Sequence, residues 1–362
     1  MNAMTDHSWK QILGQLAGRI DLESEQASWA MSALMSGTST DAQIAAFVMG
    51  LKVKGETAQE VGGLVEAMLA NAVHVPLEHT AVDVVGTGGD GAHTVNISTM
   101  SALVVAGAGA PVLKHGNRAI SSKSGTADVL EALGVAISIP AEYVATCLAD
   151  VGIAFCFAPT HHPAMRYAAP VRKELGIPTV FNVLGPLANP GQPAAALLGC
   201  ADVRFAPVLA QVQLDRGLKS IVVRSDEGLD ELSTSSTSGV WDVTSGTLRH
   251  EVLDPAALGL QPSTAADLRG GDAVENAQVV RDLLQGSQVG RLAIVRDVVA
   301  LNAAGALVAF DAATGEQNFG SINSTFAQRV TAALPVAYES IDSGAAWNAL
   351  LNWAKVSTAL AQ

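Results

Sequence analysis

Two adjacent carboxylates, Asp230 and Glu231, follow a short apolar segment that is typical of a buried strand. Carboxylate oxygens are ligands that Mg²⁺ prefers, and the ion is commonly shared with the phosphates of a substrate. Ser98 is a candidate hydroxyl ligand for a second metal position. Alone, such an acidic pair is better explained by a solvated turn, so its interpretation depends on whether the chain also contains a phosphate site.

The first candidate phosphate site is the glycine-rich turn Gly86-Thr-Gly-Gly-Asp90, between an apolar run at 81–85 and a helix expected to begin near Asn96. Glycine permits positive φ angles, and Asn, Ser and Thr are good helix caps. A strand, a glycine turn and a helix N-terminus direct backbone N–H groups at one point, which favours an anion such as phosphate. The spacing matches neither the dinucleotide fingerprint nor the Walker loop, so we expect a ligand other than NAD or ATP.

A second apolar run, 110–113, is followed by cationic and polar residues, namely Lys114, Asn117, Arg118, Ser121 and Ser122. In a parallel sheet they would reach the same edge as the glycine turn, where ligands of such sheets bind. A glycine turn without a function is the alternative interpretation of the first motif, but it leaves this second group unexplained.

His161-His162 and Arg172 are the remaining candidates for chemistry. Adjacent histidines point in different directions, which argues against a shared zinc ion. The planar guanidinium fork of Arg172 suits a carboxylate, although taken alone this residue is better explained as a surface cation. We find no nucleophile elbow, so the inventory favours catalysis by positioning and charge stabilisation, with an activated leaving group such as pyrophosphate.

The composition sets limits on the partners. The chain has 362 residues, of which 49% are hydrophobic and 15% charged, and its formal net charge is −13. This charge disfavours nucleic acid and anionic membranes as partners. Cys147, Cys156 and Cys200 lack ligand spacing and are expected to be buried free thiols, as in a cytoplasmic protein.

The periodicity predicts a helical region at 8–75, with capping boxes at Thr40–Gln43 and Thr57–Glu60. From Ala81 onwards strands alternate with helices, which predicts a parallel sheet covered on both faces. The expected elements include a strand at 135–139, a helix at 164–175, a hairpin at 240–252 and a terminal helix at 345–360 of unclear role.

Seven motifs, in this order, closely resemble those of the anthranilate phosphoribosyltransferase family: Gly86-Thr-Gly-Gly-Asp90, Asn96-Ile-Ser-Thr99, Lys114-His-Gly-Asn-Arg118, Ser124-Gly-Thr-Ala-Asp-Val-Leu-Glu131, His162-Pro-Ala-Met165, Gly185-Pro-Leu-Ala-Asn-Pro190 and Asp230-Glu231. The match runs from about residue 10 to about residue 310. The resemblance implies a Mg²⁺-dependent enzyme in which anthranilate displaces pyrophosphate from phosphoribosyl pyrophosphate (PRPP) in tryptophan biosynthesis.

The resemblance also implies a role for each matching residue. Those expected to contact PRPP are Gly86, Gly89, Asp90, Thr94, Asn96, Ile97, Ser98, Thr99, Lys114, His115, Gly116, Asn117, Arg118, Ala119, Ile120, Ser121, Ser122 and Thr126, with 114–122 as a flexible loop. Those expected to contact anthranilate are Gly86, Asn117, His162 and Arg172, with Arg172 on its carboxylate and His115 beside His162 along the route. The expected Mg²⁺ ligands are Ser98, Asp230 and Glu231.

The implied fold is α/β, with a small all-helical domain and a larger α/β domain whose central sheet is mostly parallel, of the nucleoside phosphorylase/phosphoribosyltransferase type. The expected boundaries are 1–78 with 164–192 for the helical domain, and 79–163 with 193–362 for the α/β domain. The active site would lie between them, and a homodimer would form through the helical domain. Thr126, Arg166 and the segment after Leu334 depart from the family pattern.

Two other functions remain as alternatives. A pyrimidine nucleoside phosphorylase resembles this fold, but its nucleophile is phosphate, and it needs neither the acidic pair nor a carboxylate-binding arginine. Relatives that bind nucleic acid without catalysis are expected to be basic, and the net charge of −13 argues against that function.

Overall fold

A computed structural model describes residues 7–119 and 123–361. Its helices are α1 (Trp9–Ala17), α2 (Ser24–Met35), α3 (Asp41–Lys54), α4 (Ala58–Ala70), α5 (Ile97–Gly107), α6 (Thr126–Ala132), α7 (Ala141–Val151), α8 (Ala158–His161), α9 (Ala169–Leu175), α10 (Phe181–Leu184), α11 (Phe205–Asp215), α12 (Ala273–Leu284), α13 (Arg291–Thr314), α14 (Phe326–Asp342) and α15 (Ala345–Leu360). Its strands are β1 (Val82–Gly86), β2 (Val112–Gly116), β3 (Ile153–Phe157), β4 (Ala195–Gly199), β5 (Lys219–Ser225), β6 (Ser238–Asp242) and β7 (Arg249–Leu253).

The seven strands form one sheet in the order β3-β2-β1-β4-β5-β6-β7. The first five are parallel, while β6 and β7 pair antiparallel as the predicted hairpin. The sheet therefore confirms the mostly parallel α/β prediction. Because parallel strands end at one edge, the turns that follow β1, β2 and β5 lie at the same edge of the sheet, and these turns carry the candidate site residues.

The helical region is built as the sequence predicts. Thr40 and Thr57 each cap a helix, and the glutamine or glutamate three residues later bonds back to the cap residue. The apolar faces of α1–α4 share a core with α9 and α10, and this core continues under the sheet to Leu198 and Val222. The exact boundaries of the two domains stay a prediction.

The other face of the sheet is covered by α5 and α12–α15 around the long helix α13. By length and composition alone α13 is apolar enough to cross a bilayer, but 72% of its apolar window is buried inside the protein. Its hydrophobicity is thus that of a core helix, since an apolar surface on all sides of a helix requires burial.

Three predicted elements need correction. Residues 135–139 are not a strand, although Val135, Ile137 and Ile139 are buried. The alternation of apolar residues there indicates burial only, because in the described residues this segment pairs with no strand of the sheet. The predicted helix at 164–175 is a 3₁₀ turn followed by the separate helix α9. Lys114 lies inside β2 rather than after it, so the expected loop at 114–122 begins no earlier than Asn117.

The terminal helix is confirmed at Ala345–Leu360. The tail also contains α14, which the sequence did not predict and which continues through Pro335. The terminal helix α15 packs against α5 and α7. Its Trp353 is 1% exposed, and its Ser357 hydroxyl accepts a hydrogen bond from the Ala136 N–H at 3.1 Å. The tail is therefore part of the α/β core.

We expect Trp353→Ala to lower the free energy of unfolding by about 3–5 kcal/mol, because it removes a large buried side chain and leaves a cavity. Leu351, on the same helix, is 48% exposed, so Leu351→Ala should change the free energy of unfolding by less than about 0.5 kcal/mol. Urea denaturation measures both values. Equal effects of the two variants would contradict the docking of α15.

Candidate active site

The acidic turn after β5 is held against the ends of two other strands. Gly86 and Gly199 are register partners at the ends of β1 and β4. A Cβ built on Gly199 would lie 1.6 Å from the Asp230 carbonyl oxygen, and one built on Gly86 would lie 2.2 Å from Asp230 Oδ2. Only glycine at both positions leaves room for the acidic turn. Ser225 fixes the start of this turn, since its hydroxyl accepts from the Leu229 N–H at 2.9 Å.

The carboxylates of this turn bind the backbone groups that the sequence assigned to an anion. The Gly88 N–H donates to Asp230 Oδ2 at 2.7 Å. The backbone of Ser98, at the start of α5, favours the charged form of Glu231 and so opposes the rise in its pKa. The glycine turn and the start of α5 thus meet at one place, and their use as a phosphate site stays a prediction. In this structure, the anions that meet them are the protein's own carboxylates.

A buried lysine lies beside the acidic turn. Lys114 is 1% exposed; its Nζ donates to the Val84 carbonyl and lies 3.3 Å from Ser98 Oγ. Burial lowers the pKa of Lys114, while attraction to Asp83, Glu231 and Asp230 opposes that shift. The lysine therefore places a buried basic group at the predicted phosphate site, where the three carboxylates favour its charged form.

Three carboxylates crowd this site. Burial, together with the charge of the neighbouring Asp90 and a hydrogen bond to it, raises the pKa of Asp230 to about 6. Burial and then the charge of Asp230 raise the pKa of Glu231 well above its ordinary value. Such shifts are typical of like charges that share a site without enough counter-charge.

A divalent cation fits this donor set, because carboxylate oxygens are hard ligands and the extra positive charge would relieve the repulsion. Within the described ranges 7–119 and 123–361, no group of three or more His, Cys, Asp or Glu side chains is positioned to hold a metal by itself. Some ligands would have to come from substrate or water, which is the usual situation for Mg²⁺.

A cavity of about 420 Å³ opens next to the acidic turn. One side is formed by the sheet edge and the residues after it, including Gly86, His115 and Asn117. The other side comes from α4 and the 158–186 region, including His162, Arg172, Phe181 and Met68. The four residues predicted to contact anthranilate, Gly86, Asn117, His162 and Arg172, all line this one cavity.

Two buried histidines face each other in the cavity wall, with ring centroids 5.3 Å apart. His115 Nδ1 lies 2.9 Å from the Gly185 carbonyl, and His162 Nε2 lies 2.8 Å from the Ala188 carbonyl. A carbonyl only accepts hydrogen bonds, so each of these nitrogens must carry the proton. The other nitrogen of each ring is an acceptor without a partner in the described part of the chain.

Both histidines are neutral at physiological pH. Burial, followed by the charge of His162, lowers the pKa of His115 to about 3. Burial also lowers the pKa of His162 to about 4. His161 points elsewhere, with Nδ1 2.8 Å from the Val73 carbonyl, so the two adjacent histidines diverge as the sequence predicts.

Arg172 reaches the cavity from α9 with its guanidinium carbon 5.7 Å from the centre of the Phe181 ring. Burial lowers the pKa of Arg172. Within residues 7–119 and 123–361 it makes no ion pair with a carboxylate. A half-buried guanidinium without an internal counter-ion is suited to a carboxylate that enters with a ligand.

The segment after β2 is only partly engaged in the site. Arg118 pairs with Glu131, with Nη1 2.5 Å from Oε2, and also with Asp128 at 3.0 Å. The Ala119 N–H donates to the same Asp128 at 3.0 Å. Thr126 lies beside Gly116, where an added Cβ would be 3.4 Å from the threonine Cβ. The predicted contacts Ile120, Ser121 and Ser122 lie outside the described residues.

The predicted contacts around the start of α5 differ in exposure. The side chains of Ile97 and Thr99 are buried at 1% exposure, so each can offer a ligand only backbone groups. Gly89 has a φ of 81° and open space around it. Asn96 is half-buried, and its Oδ1 accepts from Asn276 Nδ2 at 2.8 Å.

Sequence reasoning missed two groups of residues. Met68 and Phe181 line the cavity, but nothing in their spacing distinguishes them from core residues. The segment 268–276 covers the turn before α5, with the Val95 N–H donating to the Leu268 carbonyl at 2.8 Å. Its Gly270-Gly271-Asp272 and the capping box with Glu275 were readable signals of a turn and a helix start.

Comparison with known proteins gives one consistent family. Residues 78–347 match the α/β domain of the glycosyl transferase family, and residues 10–72 match the helical bundle domain of that family. The chain is 53% identical over 351 residues to the anthranilate phosphoribosyltransferase of Saccharopolyspora erythraea, covering 97% of this chain and 96% of the relative. It is 50% identical to that of Salinispora arenicola, covering 99% of each.

Solved structures agree. The anthranilate phosphoribosyltransferase of Thermus thermophilus has a TM-score of 0.85 at 36% identity, covering 96% of this chain and 99% of that one. The Saccharomyces cerevisiae enzyme in complex with PRPP and Mg has a TM-score of 0.85 at 26% identity, covering 98% and 99%. Fold, cavity and relatives therefore agree, and the chain belongs to the anthranilate phosphoribosyltransferase family.

Proposed function

We propose that this chain transfers the phosphoribosyl group of PRPP to the amino group of anthranilate, giving N-(5-phosphoribosyl)anthranilate and pyrophosphate in L-tryptophan biosynthesis. The observation that carries the proposal is the position of Gly86, which lines the cavity with Arg172 and also contacts Asp230. An aromatic acid held by Arg172 would thus lie next to a diphosphate held at the acidic turn.

The acceptor would be oriented from two sides. Arg172 would bind the anthranilate carboxylate through its planar fork. His115 and His162 are neutral, and each has one unpartnered nitrogen, so they can accept an N–H hydrogen bond from the amino group. Holding the amine this way directs its lone pair towards the donor and lowers the entropic cost of attack.

The donor would bind at the opposite side, on residues of the glycine turn and the start of α5. We assign Asp230, Glu231 and Ser98 as the residues that would hold Mg²⁺. When bound, Mg²⁺ supplies positive charge that neutralises the diphosphate and favours its departure. Lys114 adds a fixed positive charge at the same end of the sheet, which stabilises the negative charge that develops on the leaving group.

The neighbouring structures support both substrates. The Saccharomyces cerevisiae enzyme was solved with PRPP and Mg and also with 4-fluoroanthranilate, in the latter case with a TM-score of 0.84 at 25% identity. A nucleoside phosphorylase remains the nearest alternative. However, a pyrimidine nucleoside has no carboxylate, so Arg172 would have no role in binding it. Nucleic acid binding is disfavoured by the net charge of −13.

We also propose a homodimer that forms through the helical domain, and a cytoplasmic location. Ile20 and Val53 are 56% and 63% exposed in the helical region and offer apolar surface for such a contact. The three cysteines are buried free thiols, which suits a reducing compartment.

Purified protein should consume anthranilate when PRPP and Mg²⁺ are both present, and anthranilate fluorescence should fall with time. Omission of either PRPP or Mg²⁺ should abolish the loss, since the acidic turn alone repels a diphosphate. Phosphorolysis of thymidine or uridine serves as the parallel assay. No loss of anthranilate together with phosphorolysis would instead assign a nucleoside phosphorylase.

Arg172→Ala should raise the KM for anthranilate about ten- to hundredfold, because a charge-assisted hydrogen bond to the carboxylate is lost. The KM for PRPP should stay within about twofold, as in the control Lys173→Ala, which removes an exposed cation from the neighbouring position. Steady-state kinetics with each substrate varied in turn measures both constants. A parallel rise in both would remove Arg172 from the acceptor site.

The double variant Asp230→Asn/Glu231→Gln should raise the half-saturating Mg²⁺ concentration by more than about tenfold, because even partners outside the ligand shell have effects of that size. The matched control is Asp226→Asn/Glu227→Gln, since these exposed acids have the same order in the same loop. Titration of the rate with Mg²⁺ compares the two. An unchanged titration of the first variant would reject the pair as ligands.

A further inference from the structure

The segment 268–276 forms an extra backbone layer over the turn that precedes α5. The Gly270 N–H donates to the His93 carbonyl at 2.8 Å, and Thr94 forms an isolated antiparallel bridge with Arg269. A Cβ built on Gly270 would lie 2.4 Å from the Thr94 carbonyl oxygen, so a glycine is needed for this approach. This contact brings the start of α12 next to Asn96.

Two asparagine side chains form a relay across this contact. The Gly271 N–H donates to Asn276 Oδ1 at 2.8 Å, and Asn276 Nδ2 donates to Asn96 Oδ1 at 2.8 Å. Asn276 is 2% exposed. Because the backbone N–H of Gly271 occupies the oxygen of the Asn276 amide, that amide must donate from its nitrogen, and Asn96 must accept with its oxygen.

The relay leaves Asn96 with one free group. Its Nδ2 has no hydrogen-bond partner within residues 7–119 and 123–361, and the side chain does not cap α5 although Asn96 is the N-cap residue. Asparagine normally uses its oxygen to cap the helix. Here that oxygen is taken by Asn276, so the donor nitrogen of Asn96 is the group left for a ligand.

We infer that Asn276 is a positioning residue that fixes the amide of Asn96 with its N–H groups towards the phosphoribosyl donor. The inference rests on the proposed function, in which Asn96 contacts PRPP. The ionised phosphate oxygens of the donor only accept hydrogen bonds, so the amide nitrogen attracts them and the amide oxygen repels them. A free asparagine can rotate to either state, and the relay removes the unfavourable one before the substrate binds.

The near-isosteric variant Asn276→Asp reverses the relay. Its carboxylate can still accept from the Gly271 N–H, but it demands a donor from Asn96 and turns the Asn96 oxygen towards the substrate. Asn276→Ala only frees the Asn96 amide. We expect Asn276→Asp to raise the PRPP KM and the calorimetric Kd for PRPP with Mg²⁺ about tenfold or more, and Asn276→Ala to raise them about threefold.

Two comparisons separate positioning from packing. In an Asn96→Ala background, the difference between Asp and Ala at position 276 should vanish, since the group they orient is gone. The control Gln213→Glu places an acid at another buried amide, which bonds to Ser220 at 3.1 Å beside the other end of the sheet. It should leave the PRPP KM within about twofold. The anthranilate KM should stay within about twofold in every variant.

The outcomes are distinct. The inference is supported if the Kd for PRPP increases from wild type to Asn276→Ala to Asn276→Asp, and if the difference between the two variants disappears in the Asn96→Ala background. The inference is overturned if the two variants have equal Kd values for PRPP, or if their difference persists in the Asn96→Ala background. If thermal melting shows that Asn276→Asp does not fold, the Asn276→Ala variant decides. A threefold rise in its Kd for PRPP that disappears in the Asn96→Ala background supports the inference. No rise in that Kd contradicts it. Wild-type protein that consumes no anthranilate would refute the proposed function itself.

Discussion

The hydrogen bond from the Gly88 N–H to the Asp230 carboxylate is the contact on which the site depends, because it joins the first turn of the sheet to the turn after β5. It forms only because two neighbouring strands end in glycine. Gly86 and Gly199 are paired in register, and the Asp230 backbone and side chain occupy the space that their Cβ atoms would fill. Parallel strand order brings these ends together, and the absent side chains let a third loop lie across them.

The same contact leaves an electrostatic imbalance. Asp230 is buried and Glu231 is half-buried next to Asp90, and Lys114 lies beside them as a basic group that offsets their charge. Burial of like charges destabilises a fold unless counter-charges enter, so the site stores unfavourable energy that a cation would release. The large cores on both sides of the sheet provide the stability that tolerates this local cost.

Much of this arrangement could be predicted because strand ends in a parallel sheet converge. The glycine turn follows β1, Lys114 lies near the end of β2 and the acidic pair follows β5, and these three parallel strands end at the same edge of the sheet. Their presence at that edge therefore follows from strand direction without any knowledge of side-chain contacts. The relay from Asn276 to Asn96 could not be predicted, since it joins positions 180 apart through a layer that no periodicity reveals. The strand predicted at 135–139 was wrong because its alternating apolar residues are buried in a coil that does not pair with the sheet.

Buried hydrogen bonds between the turn at 185–191 and the sheet would set the distance between the two proposed substrates. The irregular turn at 185–191 carries the carbonyls that orient His115 and His162, and Asn189 fixes that turn to the sheet. Asn189 Nδ2 donates to Asp83 at 2.9 Å and to the Leu113 carbonyl at 2.8 Å.

Asp83 also accepts from the His115 N–H at 3.2 Å, and burial raises its pKa to about 6. The wall that carries His115 and His162 is thereby bonded to β1 and β2, the strands that lead into the glycine turn and Lys114. A shift of either wall would break buried hydrogen bonds, which is costly, so the proposed alignment of amine and leaving group would be built into the folded chain before any ligand binds.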